Sequence, residues 1–196
     1  MAAPARPRRL SGFEWACLGV VAVSFLFRLD YVLKPDAIWD SAWYLMLGRS
    51  FAERGDFWIR WTDPAEFSGY WPPLFPILVS GMVRLFGASY QTLAATATLA
   101  SALLALAVLL TTWDLMGRTR AFAAMALVAA SPAFLGSDMR GMGESTLALM
   151  VVLALWAFLK SLERPVFLPL AALFGLGAYL SKANLGLPFV AAGLVA

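Results

Sequence analysis

The chain has 196 residues, of which 61% are hydrophobic and only 14% are charged, and its mean hydropathy is +0.75. A soluble domain would carry about a quarter charged residues, so this composition excludes a soluble protein and indicates an integral membrane protein. The net charge of +3 is small and scattered, which argues against a nucleic-acid-binding surface. With one cysteine and no histidine, the chain has no internal disulfide framework, and acid–base chemistry falls to Asp, Glu, Lys or Tyr.

The first predicted membrane helix is the apolar run Trp15–Phe27, which follows three arginines within the first nine residues. A signal peptide begins in the same way, but Arg28 and Asp30 follow without a small-residue cleavage site. We therefore expect an uncleaved helix with its N-terminus in the cytoplasm, by the positive-inside rule. Glu14 and Arg28 are expected at its two ends, and Cys17 within it is expected to be a packing residue.

A long segment, residues 29–91, separates this helix from the next long apolar run and holds seven of the chain's twelve acids. It includes Pro73–Phe86, which is shorter than the ~20 residues that a membrane span needs. Two basic connectors follow, at residues 118–120 and 160–164. If Pro73–Phe86 lies flat on the membrane, both connectors face the cytoplasm; if it crosses, both face outward. We favour the flat arrangement, which makes residues 29–91 the first outer loop. The further predicted spans are Thr92–Trp113, Ala121–Leu135, Ser145–Leu159 and Val166–Leu180.

Two helices are predicted within the outer loop. Asp40 or Ser41 can cap a helix that continues to Arg54 and stops at Gly55. Its apolar side chains recur every four residues, which indicates an amphipathic helix resting on the membrane surface. The Pro72-Pro73 pair then forms a stiff turn that starts the flat helix Leu74–Phe86.

These elements predict an all-α, polytopic membrane protein of about five transmembrane helices, with amphipathic interfacial helices in a long first outer loop. The apolar residues Leu185–Ala196 indicate the start of a sixth membrane helix. Residues 1–196 are therefore expected to form the N-terminal part of a longer membrane module. A second outer loop is expected at Gly136–Gly143, with Asp138 as a solvated acid, and Lys182 is expected at the outer side of the last span.

Two motifs in the outer loop carry a resemblance to a known family. Asp40 is followed four residues later by Tyr44, and residues 71–76 read Trp-Pro-Pro-Leu-Phe-Pro. The first resembles the Asp-acid-x-x-Tyr signature of the C-type-fold glycosyltransferases, and the second is similar to the end of the same loop in that family. The family includes the protein O-mannosyltransferases and the aminoarabinose transferases of lipid A, which take a sugar from a polyprenyl phosphate at the outer face of the membrane. The resemblance covers the whole chain in the order of its helices and loops.

The resemblance implies roles for particular residues. Asp40 matches the catalytic Asp of the family. Glu144 falls where a second acid is often found, and Lys182 falls where a basic residue often binds the carrier phosphate. Ser41 departs from the family by replacing the second acid of the signature, so no metal-binding acidic pair is evident. Further candidates are Arg140 and Arg84 for the donor phosphate, and Trp39, Trp43, Tyr44 and Trp71 for the sugar or acceptor pocket.

The same residues could instead have purely structural roles. Asp40 could serve only as a helix cap. Glu144 could cap the fourth membrane helix or pair with Arg140 across one helical turn. Lys182 and Arg84 could simply extend to lipid headgroups.

The function predicted from this reasoning is transfer of a glycosyl group from a polyprenyl-phosphate-linked sugar to a lipid, glycan or protein, with Asp40 as general base. The alternatives are a transporter or flippase of lipid-linked sugars and a non-catalytic membrane scaffold. The expected partners are the sugar donor and membrane lipid, without nucleic acid, and the expected location is the bacterial inner membrane. The sequence leaves open which sugar and acceptor are used, the oligomeric state and whether a divalent metal assists.

Overall fold

The computed structural model describes residues 9–36, 38–59, 66–67 and 71–182, and most of these residues are helical. Two short strands, β1 (Trp58–Ile59) and β2 (Glu66–Phe67), form an antiparallel pair between the second and third helices. A 3₁₀ turn at Pro165–Phe167 precedes the last described helix. The α-helices are α1 (Gly12–Leu33), α2 (Trp39–Arg54), α3 (Leu74–Phe86), α4 (Tyr90–Met116), α5 (Arg118–Ala129), α6 (Pro132–Met139), α7 (Glu144–Glu163) and α8 (Leu168–Ser181).

A capping box starts α1. The Ser11 hydroxyl accepts a hydrogen bond from the backbone N–H of Glu14 at 3.3 Å, and the Glu14 carboxylate accepts one from the backbone N–H of Ser11 at 2.7 Å. These bonds satisfy N–H groups that a helix start leaves without partners. Glu14 therefore marks the start of the helix, as predicted. The prediction that Arg28 marks its end is wrong, because α1 continues to Leu33.

Three helices, α1, α4 and α7, are each long and apolar enough to cross a membrane. α5 and α6 pass the same test together, although a bend of 47° separates them. α3 and residues 165–181 are apolar but shorter. The described residues thus confirm a mainly α-helical protein with three or four candidate spans by length and composition. The predicted sixth span, which begins at Leu185, lies outside the described residues.

The bend between α5 and α6 falls at Ser131 and Pro132. Pro132 has no N–H to continue the hydrogen-bond ladder of α5, but its fixed φ suits the first turn of a new helix. α6 then runs to Met139. The predicted loop Gly136–Gly143 is therefore wrong in its first half, because residues 136–139 are helical. Residues 140–143, named here the α6–α7 turn, connect the two helices.

The two loop helices, α2 and α3, lie side by side and run in the same direction. The Tyr44 ring meets the Phe75 ring near the start of α3, and one turn further on Gly48 lies against Val79. A Cβ at Gly48 would stand 2.5 Å from Val79 Cγ1, so glycine permits this close approach. α3 has the predicted bounds, Leu74–Phe86.

The two ends of α2 differ in how well the sequence predicts them. The helix stops at Arg54, and Gly55 follows in the left-handed conformation with φ 75°, as predicted. The predicted cap at Asp40 or Ser41 is wrong, because the N-cap is Ile38. Ser41 instead lies in the first turn, where its hydroxyl oxygen accepts a hydrogen bond from the Ile38 N–H at 3.2 Å.

At the centre of the described bundle, α4 contributes to three apolar clusters: one with α2 and α3, one with α1 and α5, and one with α7. Cys17 is buried in the second cluster, which confirms its predicted packing role. The buried cluster members are Tyr44, Phe75, Val79, Val83, Leu93 and Ala97; Cys17, Ala105, Phe122, Met125 and Ala126; and Leu104, Ala107, Val108 and Leu149.

Charged side chains gather at two ends of the bundle. At one end, Arg118 at the start of α5 pairs with Glu14 of α1 at 2.7 Å. Lys160 near the end of α7 pairs at this same end with Asp114 near the end of α4, at 2.9 Å. The start of α2, the α6–α7 turn and the end of α8 lie together at the opposite end, where Ser41 binds the Arg140 carbonyl and Lys182 binds Glu144.

Candidate active site

Ser41 ties the start of α2 to the α6–α7 turn. Its side chain is fully buried, and its hydroxyl donates a hydrogen bond to the backbone carbonyl of Arg140. The bond brings the neighbouring residue, Asp40, to the turn that leads into Glu144. Ser41, which replaces an acid of the family signature, therefore has a structural role that the sequence did not indicate.

Glu144 is the first residue of α7 and has two hydrogen-bond donors around its carboxylate. Ser137 Oγ donates to Oε2 at 2.7 Å, and Lys182 Nζ donates to Oε1 at 3.2 Å. The Glu144 and Lys182 side chains are 35% and 36% exposed, so the ion pair is open to solvent. The start of a helix also favours a carboxylate through the helix dipole. Glu144 therefore pairs with Lys182 and not with Arg140, the partner that the sequence analysis considered.

Two charged side chains beside this pair have no ion-pair or side-chain hydrogen-bond partner among the residues that the structure describes. One is the exposed guanidinium of Arg140, and the other is the partly exposed carboxylate of Asp40. A carboxylate in this state can accept a proton from a substrate, and a guanidinium can bind an anion. The site therefore offers both groups to a ligand.

Tyr44 packs against an aromatic wall and lies near the two carboxylates. Its side chain is 6% exposed, and its ring meets Trp71 and Phe75 edge-on, with centroid distances of 5.3 Å and 5.2 Å. Burial, together with the negative charges of Glu144 and Asp40, raises the pKa of the Tyr44 hydroxyl to about 12. The hydroxyl is therefore protonated at neutral pH, and both carboxylates are near enough to act on it.

An aromatic platform continues from Tyr44. The Trp43 and Trp71 rings are stacked, with centroids 6.3 Å apart and an angle of 17° between their planes. Three of the four predicted pocket aromatics are thus close together. The fourth, Trp39, is the first residue of α2, and its side chain lies outside what the structure describes. Aromatic faces of this kind line many ligand pockets.

Arg84 lies away from this cluster. Its guanidinium donates to the backbone carbonyls of Ala52 at 3.3 Å and Phe51 at 3.4 Å, in the last turn of α2. Since a helix rises 1.5 Å per residue, this position is roughly 18 Å along α2 from Asp40. The structure therefore does not bring Arg84 together with Lys182 and Arg140.

Metal ligands are sparse in the part of the chain that the structure describes. No group of three or more His, Cys, Asp or Glu side chains lies close enough together there to hold a metal ion. A divalent ion at this site would have Asp40 and Glu144 as protein carboxylates and would need substrate oxygens to complete its coordination.

Asp138 is buried, so the prediction that it is a solvated loop acid is wrong. The predicted solvated side chain is only 1% exposed, and its partner Arg28 is equally buried. Arg28 Nε donates to the Asp138 carboxylate at 2.7 Å, and the hydroxyls of Ser101 and Ser145 donate to it as well. The available signal was Arg28, a charge within an apolar helix, because such a charge requires a buried partner.

The fold and the site define a class of protein: a polytopic membrane protein with acids, cations and aromatic side chains collected at one end of its helices. The sequence model of the dolichyl-phosphate-mannose-protein mannosyltransferase family matches residues 71–196. This match covers more than half of the chain, so the chain belongs to that family, and its predicted kinship with the C-type-fold glycosyltransferases is confirmed. The match includes Glu144 and Lys182, whereas Asp40 precedes it. No curated protein and no solved structure matches the chain.

Proposed function

We propose that the chain transfers a glycosyl group from a polyprenyl-phosphate-linked sugar to a lipid, glycan or protein acceptor at the outer face of the membrane. The observation that carries the proposal is the collection of Asp40, Glu144 and Lys182 at one end of the bundle, where the Ser41–Arg140 and Lys182–Glu144 bonds hold their segments together. The family supports the sugar donor, since its description names dolichyl-phosphate mannose. Mannose is therefore the first sugar to test.

In this proposal Asp40 is the general base. The acceptor oxygen or nitrogen attacks the anomeric carbon while its proton passes to the Asp40 carboxylate, and the bond from that carbon to the phosphate oxygen breaks. A positioned base of this kind contributes about 10²–10⁴-fold to a rate. Because one carboxylate acts without a covalent intermediate, the sugar is expected to invert at the anomeric carbon.

The leaving polyprenyl phosphate is stabilised by cations and needs no general acid. The exposed Arg140 guanidinium and the Lys182 ammonium supply positive charge at the same end of the bundle. Glu144 would hold Lys182 in place before the donor arrives. Arg84 is left out of this phosphate site because it lies at the other end of α2.

The aromatic platform would contact the sugar or the acceptor. Trp43 and Trp71 present large, stiff surfaces beside Tyr44, and the protonated Tyr44 hydroxyl can donate a hydrogen bond to a substrate oxygen. Trp39 precedes Trp43 by one helical turn and is proposed as a further member of this wall.

The proposed topology has five spans with the N-terminus in the cytoplasm. They are α1, α4, the bent pair α5–α6, α7 and residues 165–181, with α2 and α3 at the outer surface. The basic connectors at residues 118–120 and 160–164 then face the cytoplasm, in agreement with the positive-inside rule. The bacterial inner membrane is the proposed location.

Replacing Asp40 by Asn tests the function. We expect the kcat of sugar transfer to fall by about 100-fold or more, because the amide cannot take the acceptor's proton. The measurement uses the full chain in lipid nanodiscs with radiolabelled mannosyl-phosphoryl polyprenol and a membrane extract as acceptor source. Glucosyl and aminoarabinosyl donors follow as a panel.

Asp36 provides a matched control in the same loop. It is an exposed aspartate four residues before Asp40, so D36N should keep kcat within about twofold of the parent, as surface substitutions usually do. An unchanged kcat in D40N would remove Asp40 from the proposal. A parent protein that moves the labelled donor between leaflets without forming a product would support the transporter alternative instead.

A further inference from the structure

A buried guanidinium lies inside the bundle, away from the candidate active site. Arg28, in α1, is 1% exposed, and its Nε donates to the Asp138 carboxylate of α6 at 2.7 Å. A charge buried in a membrane protein is costly unless it is paired and fully hydrogen-bonded. The burial of this guanidinium therefore needs an explanation, and the mechanism proposed above does not use it.

The Asp138 carboxylate joins four helices. It accepts hydrogen bonds from Arg28 of α1, Ser101 of α4 and Ser145 of α7, the last at 2.8 Å. The two serine hydroxyls also contact each other at 2.7 Å. These bonds form one connected polar network, and such networks rigidify the elements that they join.

The Arg28 guanidinium also spans the bend between α5 and α6. Its Nη1 donates to the carbonyl of Ala129, the last residue of α5, at 2.8 Å, while its Nε binds Asp138 of α6. The two helices meet at 47°. One planar group with donors in a fixed fork thus holds both arms of the bend at once.

We propose that Arg28 is a positioning residue, which fixes the α5–α6 bend and thereby sets the α6–α7 turn, which contains Arg140 and leads into Glu144. Asp138 lies two residues before Arg140, and Ser145 directly follows Glu144, so the network holds the turn from both sides. The importance of that turn rests on the proposed function, through the bonds that the Arg140 carbonyl and the Glu144 carboxylate make to Ser41 and Lys182.

A buried ion pair is weak evidence of a purely stabilising role. A buried ion pair can often be replaced by apolar residues of similar volume without loss of stability, whereas removal of one partner is strongly destabilising. The double variant R28M/D138L is therefore the informative one, because it removes both charges together. Its fold is expected to survive, and its effect on the turn can then be measured.

Two measurements on the full chain in nanodiscs test the proposal. Hydrogen exchange should become about tenfold faster in residues 136–147 of R28M/D138L, because the turn has lost its anchor. The kcat for mannosyl transfer should fall by about tenfold or more with little change in KM, since small displacements of catalytic groups affect the chemical step most. R28K should recover part of both losses, because an ammonium keeps the charge but not the fork.

The matched control is the ion pair between Arg118 and Glu14, which joins α1 to α5 at the opposite end at 2.7 Å. The variant R118M/E14Q keeps a side-chain acceptor for the Ser11 N–H. It should leave the exchange of residues 136–147 and kcat within about twofold of the parent, since distant sites act independently. Any loosening should stay near its own end of the bundle.

Unchanged exchange and unchanged kcat in R28M/D138L would overturn the positioning role. If that variant does not fold, R28K decides: parental exchange in residues 136–147 would overturn the role, and faster exchange there would support it. Should the parent show no sugar transfer, the proposed function fails, while the exchange measurement still tests whether Arg28 holds the turn.

Discussion

At the scale of single residues, the pair Lys182–Glu144 is more informative about function than about stability. Both side chains are about one-third exposed, and ion pairs of this kind contribute at most about 1 kcal/mol to folding. The pair lies at the end of α8 and the start of α7, and it holds a cation beside Arg140, which has no ion-pair partner among the described residues. Loss of either partner should therefore change anion binding more than folding.

Substitutions of the two partners are predicted to have opposite effects on the affinity for phosphate. K182M should weaken binding of undecaprenyl phosphate by about tenfold, because it removes a cation and leaves the Glu144 charge to repel the phosphate. E144Q should tighten binding, since it frees Lys182 and removes that repulsion. Titration of undecaprenyl phosphate into the full chain in nanodiscs, followed by calorimetry, measures both effects.

Lys160 supplies the matched control, because it forms a similar pair with Asp114 at the opposite end of the bundle. K160M should leave phosphate binding unchanged within about twofold. A loss of affinity in both K182M and E144Q would mean that the pair supports the local structure and not the electrostatics of a phosphate site.

The sequence could identify Lys182 and Glu144 as candidates because their positions at the ends of predicted membrane helices match those of a basic residue and an acid in the family that the chain resembles. It could not identify the partner of Ser41 or of Asp138. The Ser41–Arg140 bond joins residues 99 positions apart, and the Arg28–Asp138 bond joins residues 110 positions apart. No local pattern encodes contacts of this range, so they depend on how the helices pack.

At the scale of helices, local chemistry explains which predictions succeeded. Gly55 ends α2 and the Pro72-Pro73 pair starts α3, because each residue type restricts or frees the backbone at that point. Ser131-Pro132 carried a similar signal for the α5–α6 bend, but the apolar run across it suggested one continuous span. The parallel packing of α2 on α3 had no such local signal.

Gly48 provides a test of that packing. G48A should destabilise the protein by about 1–3 kcal/mol, because the new Cβ would collide with Val79 and overpacking outweighs the gain in helix propensity. Its thermal midpoint and its transferase activity should both fall. Thermal unfolding of the purified full chain, followed by circular dichroism, measures the change.

Gly81 of α3 is the matched control, since a Cβ there would meet nothing within 4 Å. G81A should be neutral or stabilising by up to about 1 kcal/mol through helix propensity. The double variant G48A/V79A should regain only part of the stability that G48A loses, because it removes the Val79 Cγ1 contact at 2.5 Å but keeps the Cβ, which would stand 2.8 Å from the new Cβ. Equal effects of G48A and G81A would contradict the close approach of α2 and α3.

At the scale of the whole molecule, the orientation of the bundle depends on whether α3 crosses the membrane. α3 has 13 residues, which span roughly 20 Å and fall short of the ~30 Å hydrocarbon core. It also packs along α2, which carries Arg49, Glu53 and Arg54. A crossing α3 would draw these charges toward the lipid interior, at a cost of several kcal/mol.

Cysteine labelling in a C17A background tests the orientation. With α3 at the outer surface, a membrane-impermeant maleimide should label D36C and A88C in intact cells, and R120C and R164C only after permeabilisation. All four positions are exposed in the structure. If α3 crosses, the last three positions exchange sides, while D36C stays outside and serves as the reference.

The labelling pattern also tests on which side of the membrane the candidate active site lies. The bonds from Ser41 to Arg140 and from Glu144 to Lys182 place α2, the α6–α7 turn and the end of α8 at one end of the bundle. Because the chain passes from that end to residues 118–120 through α4, the site and these arginines must lie on opposite sides if α4 spans the membrane. Labelling of R120C and D36C from the same side would therefore contradict the five-span topology.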